Sequence, residues 1–297
     1  MSEESDLAEV GPWAEQKLAA LASYLNYYTT VLKNQVWCRT IYLDAFAGGG
    51  KASLRSVTKH PLVETPLWDD ERPAEHTQIV VGSPRRALDL ANPFDRYVFV
   101  DADPKRVSQL YHLQSEYEGR RRIDVRQGSA EDQITWLLKQ NISKTTHRGV
   151  AFLDPFGAHL PWTSVQALAA TRIFEAIINF PLHMCINRLA TLNPAIPSNW
   201  RDQLDSFFGP GWYDEVYETT EGLFGAATRK RADATDRLLR FYRANLKNAF
   251  GHVSQPMLIR NTRGSPLYYI IWAGPHRKGL EGADYVLKTG ERLQKRA

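Results

Sequence analysis

Thr40-Ile-Tyr-Leu-Asp44-Ala-Phe46-Ala-Gly48-Gly-Gly50 is the stretch on which the fold turns. A bulky, β-rich run stops at an acid and then at a cluster of glycines, as a buried parallel strand does when it enters a tight turn. In an open α/β sheet the ligand sits beyond the carboxyl end of such a central strand, and glycine lets the backbone approach it without a Cβ in the way. Two nucleotide motifs fail here at defining positions. A P-loop needs Gly, four residues, then Gly-Lys-Ser/Thr, but Gly50-Lys51 is followed by Ala52, and position 45 is Ala. The dinucleotide fingerprint needs a glycine or alanine at position 53, which is Ser53. Asp44-x-Phe46-x-Gly48-x-Gly50 instead sets a carboxylate beside the turn. Such a group can hold the ammonium of a methionine moiety, which NAD and ATP lack.

Outward from this strand the pattern alternates. Tyr97–Asp101, Ile123–Arg126, Gly149–Asp154 and Phe174–Asn179 repeat the strand character. Helical segments are expected between them at Pro84–Ala91, Pro104–Tyr117, Ala130–Gln140 and Pro161–Ala170. Ahead of the first strand, residues 12–35 read as an amphipathic helix, with Leu18, Leu21, Leu25, Tyr28 and Leu32 at alternating spacings of three and four. Strands alternating with helices imply a parallel sheet with right-handed crossovers. After the fifth strand the pattern breaks. Residues 181–232, punctuated by Pro181, Pro194, Pro197, Gly209, Pro210 and Gly211, are expected to form a helical insert. A helix at Asp233–Phe250 follows, then a hairpin from Met257–Asn261 and Leu267–Ala273 about Arg263-Gly264-Ser265. The fold class expected is therefore α/β, a Rossmann-like class I methyltransferase sheet of five parallel strands plus a C-terminal antiparallel hairpin, in a single domain 1–297.

Composition agrees with an ordinary soluble globular protein. The chain is 43% hydrophobic and 24% charged, with a net charge of +4. No apolar stretch approaches the length of a membrane span, and the acidic N-terminus lacks the features of a signal peptide, so a cytoplasmic location is expected. Cys38 and Cys185 are the two cysteines, too few and too far apart for a zinc cluster or a disulfide framework. Basic clusters at Arg120-Arg121-Arg122, Arg229-Lys230-Arg231 and His276-Arg277-Lys278 suit either phosphate contacts or solvated helix ends.

Three further positions carry candidate chemistry. Asp101, closing the second strand, is placed to accept the ribose hydroxyls of an adenosyl group, while Asp103-Pro104 reads as the start of the next helix. Ser129, after the third strand, stands either against adenine or as a helix cap for Asp132. Asp154-Pro155-Phe156-Gly157, after the fourth, matches in part the Asp/Asn-Pro-Pro-Tyr/Phe of methyltransferases that act on exocyclic amines. There the acid and a proline carbonyl accept hydrogen bonds from the amine and aim its lone pair at the sulfonium methyl, and the ring stacks on a flipped or single-stranded base. Here one proline is missing, so Phe156 lies one position nearer the acid. Asp154 otherwise serves as a turn cap.

Taken together these residues resemble the three-Cys-motif partner (TcmP) family of methyltransferase-like proteins. The resemblance spans nearly the whole chain. Its markers are Trp13-x-x-x-Lys17-Leu18, Tyr42-Leu-Asp44-Ala-Phe46-Ala-Gly48, Gly82-Ser83-Pro84-x-x-Ala87-Leu88 and Phe152-Leu-Asp154-Pro155-Phe156-Gly157. Asn179-Phe180-Pro181, Asn187-Arg188, Tyr269-x-x-x-Ala273 and His276-x-Lys278-Gly279-Leu280 complete them. Lys17, the glycine motif and Gly82-Ser83-Pro84 are also similar to large-subunit ribosomal RNA adenine methyltransferases. The resemblance implies S-adenosyl-L-methionine as cofactor, held by Lys17, Asp44, Phe46, Ala47, Gly48, Gly50, Ser83, Asp101 and Ser129, with Asp154, Pro155 and Phe156 at the reacting centre. It implies a nucleic-acid substrate, or a substrate carried by a partner, an iron–sulfur or radical-type three-cysteine-motif protein. In bland terms Lys17 is a snorkelling lysine and Gly82-Ser83-Pro84 a helix start. Residues 51–81, longer than an ordinary structureless loop, are expected to be a lid or substrate loop, or a decoration without catalytic role.

Overall fold

The computed structural model describes residues 8–10, 13–54, 79–222 and 225–294. Its centre is β2 (Arg39–Asp44), flanked in parallel by β5 (Arg96–Asp101) and β7 (His147–Leu153). β6 (Ile123–Gln127) extends the sheet beyond β5, and β8 (Phe174–Phe180) extends it beyond β7, again in parallel. Then the direction reverses. β13 (Pro266–Gly274) lies antiparallel against β8 and carries β12 (Met257–Arg260) and the two-residue β11 (His252–Val253) on its other edge. Five parallel strands closed by an antiparallel hairpin is the order expected from the sequence.

Side-chain alternation divides the core into two layers. Ile41 and Leu43 of β2 join Val98, Val100, Ala151, Leu153 and Ile178 on one face. That face is covered by α4 (Ala130–Leu138), α5 (Trp162–Thr171) and α9 (Ala234–Phe250). Tyr42, Tyr97, Phe99, Val150, Phe152, Ile177, Ile270 and Trp272 form the other. α1 (Trp13–Leu32), α2 (Ser83–Leu88), α3 (Pro104–Glu116) and the closing helix α10 (Arg277–Gln294) cover it.

The structure adds elements at places the sequence pattern did not mark. α10 follows the hairpin although Gly279 and Gly282 interrupt its run. Both glycines permit close packing: a Cβ on Gly282 would strike the Tyr27 ring, and one on Gly279 the Glu175 carboxylate. The insert at 181–232 is not wholly helical. It begins with a π-helical turn, Leu182–Ile186, and continues through α6 (Asn187–Leu189), α7 (Ser198–Phe208) and α8 (Trp212–Val216). It ends in an antiparallel ribbon, β9 (Tyr217–Gly222) with β10 (Gly225–Lys230). β10 is exposed along most of its length, so the apolar alternation that betrays a half-buried strand is missing. The expected loop at 51–81 begins and ends as strands. β3 (Lys51–Leu54) pairs with β4 (Ile79–Val81) and with β1 (Ala8–Val10), while 55–78 lie outside the described residues.

Among the described residues no helix is long and apolar enough to cross a membrane, and no group of His, Cys, Asp or Glu is arranged to hold a metal ion.

Candidate functional site

The glycine turn after β2 is tied to its neighbours by main-chain bonds. Ala45 N–H donates to the Phe152 carbonyl at 3.1 Å, Ala47 N–H to the Val100 carbonyl at 2.8 Å, and Gly82 N–H to the Gly50 carbonyl at 2.9 Å. A Cβ on Gly82 would lie 2.9 Å from the Gly50 carbonyl, so glycine is required where Gly82-Ser83-Pro84 crosses the turn. Gly48 has φ +62°, a left-handed conformation, and open space where its Cβ would stand. Nothing in the protein forbids a side chain at Gly48 except the backbone conformation.

Asp101 stands beside the turn, 8% exposed at the end of β5. Its Oδ2 accepts from Gly48 N–H at 2.9 Å and its Oδ1 from Asp103 N–H at 2.9 Å. Two main-chain donors thus fix the carboxylate against the glycine turn, with Arg106 3.8 Å away. Asp103 caps α3 and accepts from Lys105 N–H at 2.8 Å. Ser129 has the geometry of a cap: its Oγ accepts from Asp132 N–H at 3.0 Å, at the start of α4. Phe46 is half-buried on the α4 and α5 side of the sheet, and Ala47 is buried beneath α1 and α2. Gln109 of α3, which the sequence did not single out, leans over Gly49.

Asp44 points to the opposite layer from its neighbour Leu43 and is fully buried. Tyr42 O–H donates to its Oδ2 at 3.3 Å, Phe46 N–H to its Oδ1 at 3.4 Å, and Ser83 bonds to it as well. It joins the strand end to the glycine turn and to α2. Burial, assisted by the nearby Asp154 charge, pushes its carboxyl up to about 7. Burial likewise pushes Glu175, under α10 and bonded by Tyr24 O–H, up to about 7. Both acids therefore keep protons in the folded chain that the unfolded chain releases. Their contribution to stability falls as pH rises from the ordinary carboxylate range to about 7, and is level above that. Relative to wild type, Glu175→Gln is expected to gain in unfolding midpoint between pH 4.5 and 7.5. Parallel melting curves across that range check the sign.

The reacting centre predicted at the end of β7 is a polar cluster. Asp154 Oδ2 is ion-paired with Lys17 of α1, and its Oδ1 accepts from Asn179 Nδ2 at 2.6 Å. Lys17 Nζ also lies 5.4 Å from the centroid of the Tyr268 ring. Asp44, Asp154, Asn179 and Tyr268 stand two residues from Tyr42, Phe152, Ile177 and Ile270, all members of the α1-side core. Four adjacent strands, β2, β7, β8 and β13, thus each place one polar side chain on one face near one edge of the sheet. Pro155 is buried, while Phe156 is 91% exposed and presents its ring to solvent beside the acid. Asn179 and Tyr268 were not singled out as site residues. A polar residue closing the apolar Ala176–Ile178 run was the available signal for Asn179, whereas a tyrosine in a β-strand carries none.

The chain matches no family model, and no curated protein matches it. Among solved structures, a Legionella pneumophila protein of the DUF519 family is 14% identical, with 93% of this chain and 90% of that one aligned at a TM-score of 0.51. The fold is a Rossmann-like class I fold, five parallel strands closed by an antiparallel hairpin. Trm1 from Pyrococcus horikoshii, solved with S-adenosyl-L-methionine, is 12% identical at a TM-score of 0.42, and this chain spans 57% of its length. Spermidine synthase from Thermotoga maritima is 10% identical at a TM-score of 0.38, with 91% of this chain and 62% of that one aligned. At these identities the likeness is one of fold.

Proposed function

We propose that this chain is an S-adenosylmethionine-dependent methyltransferase acting on an amine of a nucleic-acid base. The observation that carries the proposal is Asp154, held by Lys17 and Asn179 near the polar edge of the sheet, two strands from Asp101 and with an exposed phenyl ring beside it.

The residues present fit the cofactor. Gly48 leaves open space over the turn, and Asp101 is an anchored carboxylate able to accept from ribose hydroxyls. Asp44 acts through the turn that it pins, and Lys17 through its ion pair with Asp154. When bound, the cofactor supplies an electrophilic methyl on a sulfonium centre. The chain's own part is orientation. Asp154 Oδ1 accepts from an amine and aims its lone pair, and the same carboxylate is placed to take the proton that the nitrogen sheds once alkylated. Lys17 keeps the acid in one rotamer through an ion pair. Phe156 offers a stacking surface for a base that has left its helix. The positive net charge favours a polyanion.

Incubation with methyl-labelled S-adenosylmethionine and either total RNA or total protein tests this function. Label recovered as an N-methylated base after nuclease digestion is expected; label confined to protein, or to ribose, would contradict it. A second reading, a cofactor-binding partner of a three-cysteine-motif protein, is favoured by the ion pair that already engages Asp154. It expects cofactor binding with transfer to neither pool.

A further inference from the structure

Asn179 carries an unmet hydrogen bond. Its side chain is 6% exposed, and its Nδ2 donates to Asp154 at 2.6 Å. That bond decides the orientation of the amide, because a carboxylate paired with a lysine can only accept. The carbonyl oxygen is therefore the amide atom that this bond leaves unused, and it is buried without a partner. A buried acceptor is ordinarily satisfied by protein, water or ligand. Tyr268, on the neighbouring strand and the same face, is 3% exposed, and its hydroxyl is also without a partner. Asn179 lies opposite Ile270 in the β8–β13 ladder, two residues along from Tyr268, so both unmet groups border the same acid.

We infer that Asn179 is a positioning residue for the methyl acceptor, its Oδ1 taking one N–H of a target amine while Asp154 takes the other. This rests on the methyltransferase function proposed above. An –NH2 group has two hydrogens to place before its lone pair has a single direction. One acceptor leaves it free to rotate about the remaining bond, and two acceptors fix it. Asp154 and Asn179 are coupled by their own hydrogen bond, so the two acceptors move as one unit. The arrangement selects nitrogen carrying two hydrogens over a hydroxyl, which has one hydrogen and would leave Asn179 Oδ1 unpaired.

The test uses two cofactor analogues that differ at the reacting position. Sinefungin carries a protonated amine there, and S-adenosylhomocysteine carries a bare thioether. Calorimetric affinities of both are measured for wild type, Asn179→Leu and Asn179→Asp. Wild type is expected to prefer sinefungin, and Asn179→Leu, similar in size but without an acceptor, to lose about tenfold of that preference. Its affinity for S-adenosylhomocysteine is expected to stay unchanged, which also reports an intact fold. Asn179→Asp keeps an acceptor oxygen and, with the one proton that two adjacent carboxylates share standing in for the lost N–H, is expected to retain the preference. An unchanged preference in Asn179→Leu, or a lost one in Asn179→Asp, overturns the role. If wild type binds neither analogue, the cofactor assignment itself has failed, an outcome separate from the loss of preference in one variant.

Discussion

Asp154→Asn is expected to reduce methyl transfer about 100-fold or more, since orientation carries most of the catalysis at such a centre. The substitution preserves size, so packing around β7 stays as it is. What changes is chemistry. The new amide must turn its NH2 toward either Lys17 or Asn179, and both present donors. One oxygen of the original carboxylate is lost as an acceptor, and the proton shed by the methylated nitrogen has no carboxylate to receive it. Cofactor affinity should change by no more than about twofold, because Asp101 and the glycine turn are untouched. Single-turnover transfer to RNA, measured beside cofactor binding, separates the two effects. Equal losses in both would place Asp154 in cofactor binding instead of at the acceptor.

The second large effect is structural. Tyr242→Ala is expected to destabilise the chain by about 3–5 kcal/mol, as large-to-small changes of buried aromatics do. Tyr242 on α9 stacks on Phe180 with ring centroids 4.7 Å apart and on Phe207 at 5.3 Å, and meets Trp162 edge-on at 5.7 Å. Phe180 closes β8 next to Asn179, while Phe207 belongs to α7 of the insert. One ring therefore joins the insert to the strand that carries the site. Its hydroxyl is buried without a partner, so Tyr242→Phe removes an unmet polar group and is expected to be neutral or slightly stabilising. Chemical denaturation of the two variants checks the contrast. A large loss in Tyr242→Phe would mean that the hydroxyl, not the stack, holds the insert.

The central sheet was legible because several of its bulky, β-rich runs stop at or beside an acid, a glycine or a proline. Asp44 before the glycines and Asp154 before Pro155 marked carboxyl ends, and the structure places the strand ends within a residue or two of these marks. Less was legible where the signal is a contact instead of a pattern. Gly279 and Gly282 read as interruptions in a helix, yet they are what lets α10 approach Glu175 and Tyr27. The ribbon of β9 and β10 lacks apolar alternation and so looks like loop. Within the site, residue type did not reveal that Asp44 would be fully buried with an internal set of partners, since that depends on Tyr42 and Ser83 converging on it from other positions in the chain. The Asn179–Asp154 bond joins residues 25 apart and became visible only once β7 and β8 were paired.

The most direct test of the central claim is calorimetric binding of S-adenosylmethionine to the wild-type chain and to Gly48→Ala, with NAD and ATP as controls. Gly48 has open space around it, so its new methyl group strikes no protein atom and mainly strains a left-handed backbone, at about 1–2 kcal/mol. The account expects selective binding of S-adenosylmethionine by wild type, and marked loss in a variant that still melts cooperatively. Binding of NAD or ATP in its place, or undiminished binding by the folded Gly48→Ala chain, would contradict a cofactor seated over this turn.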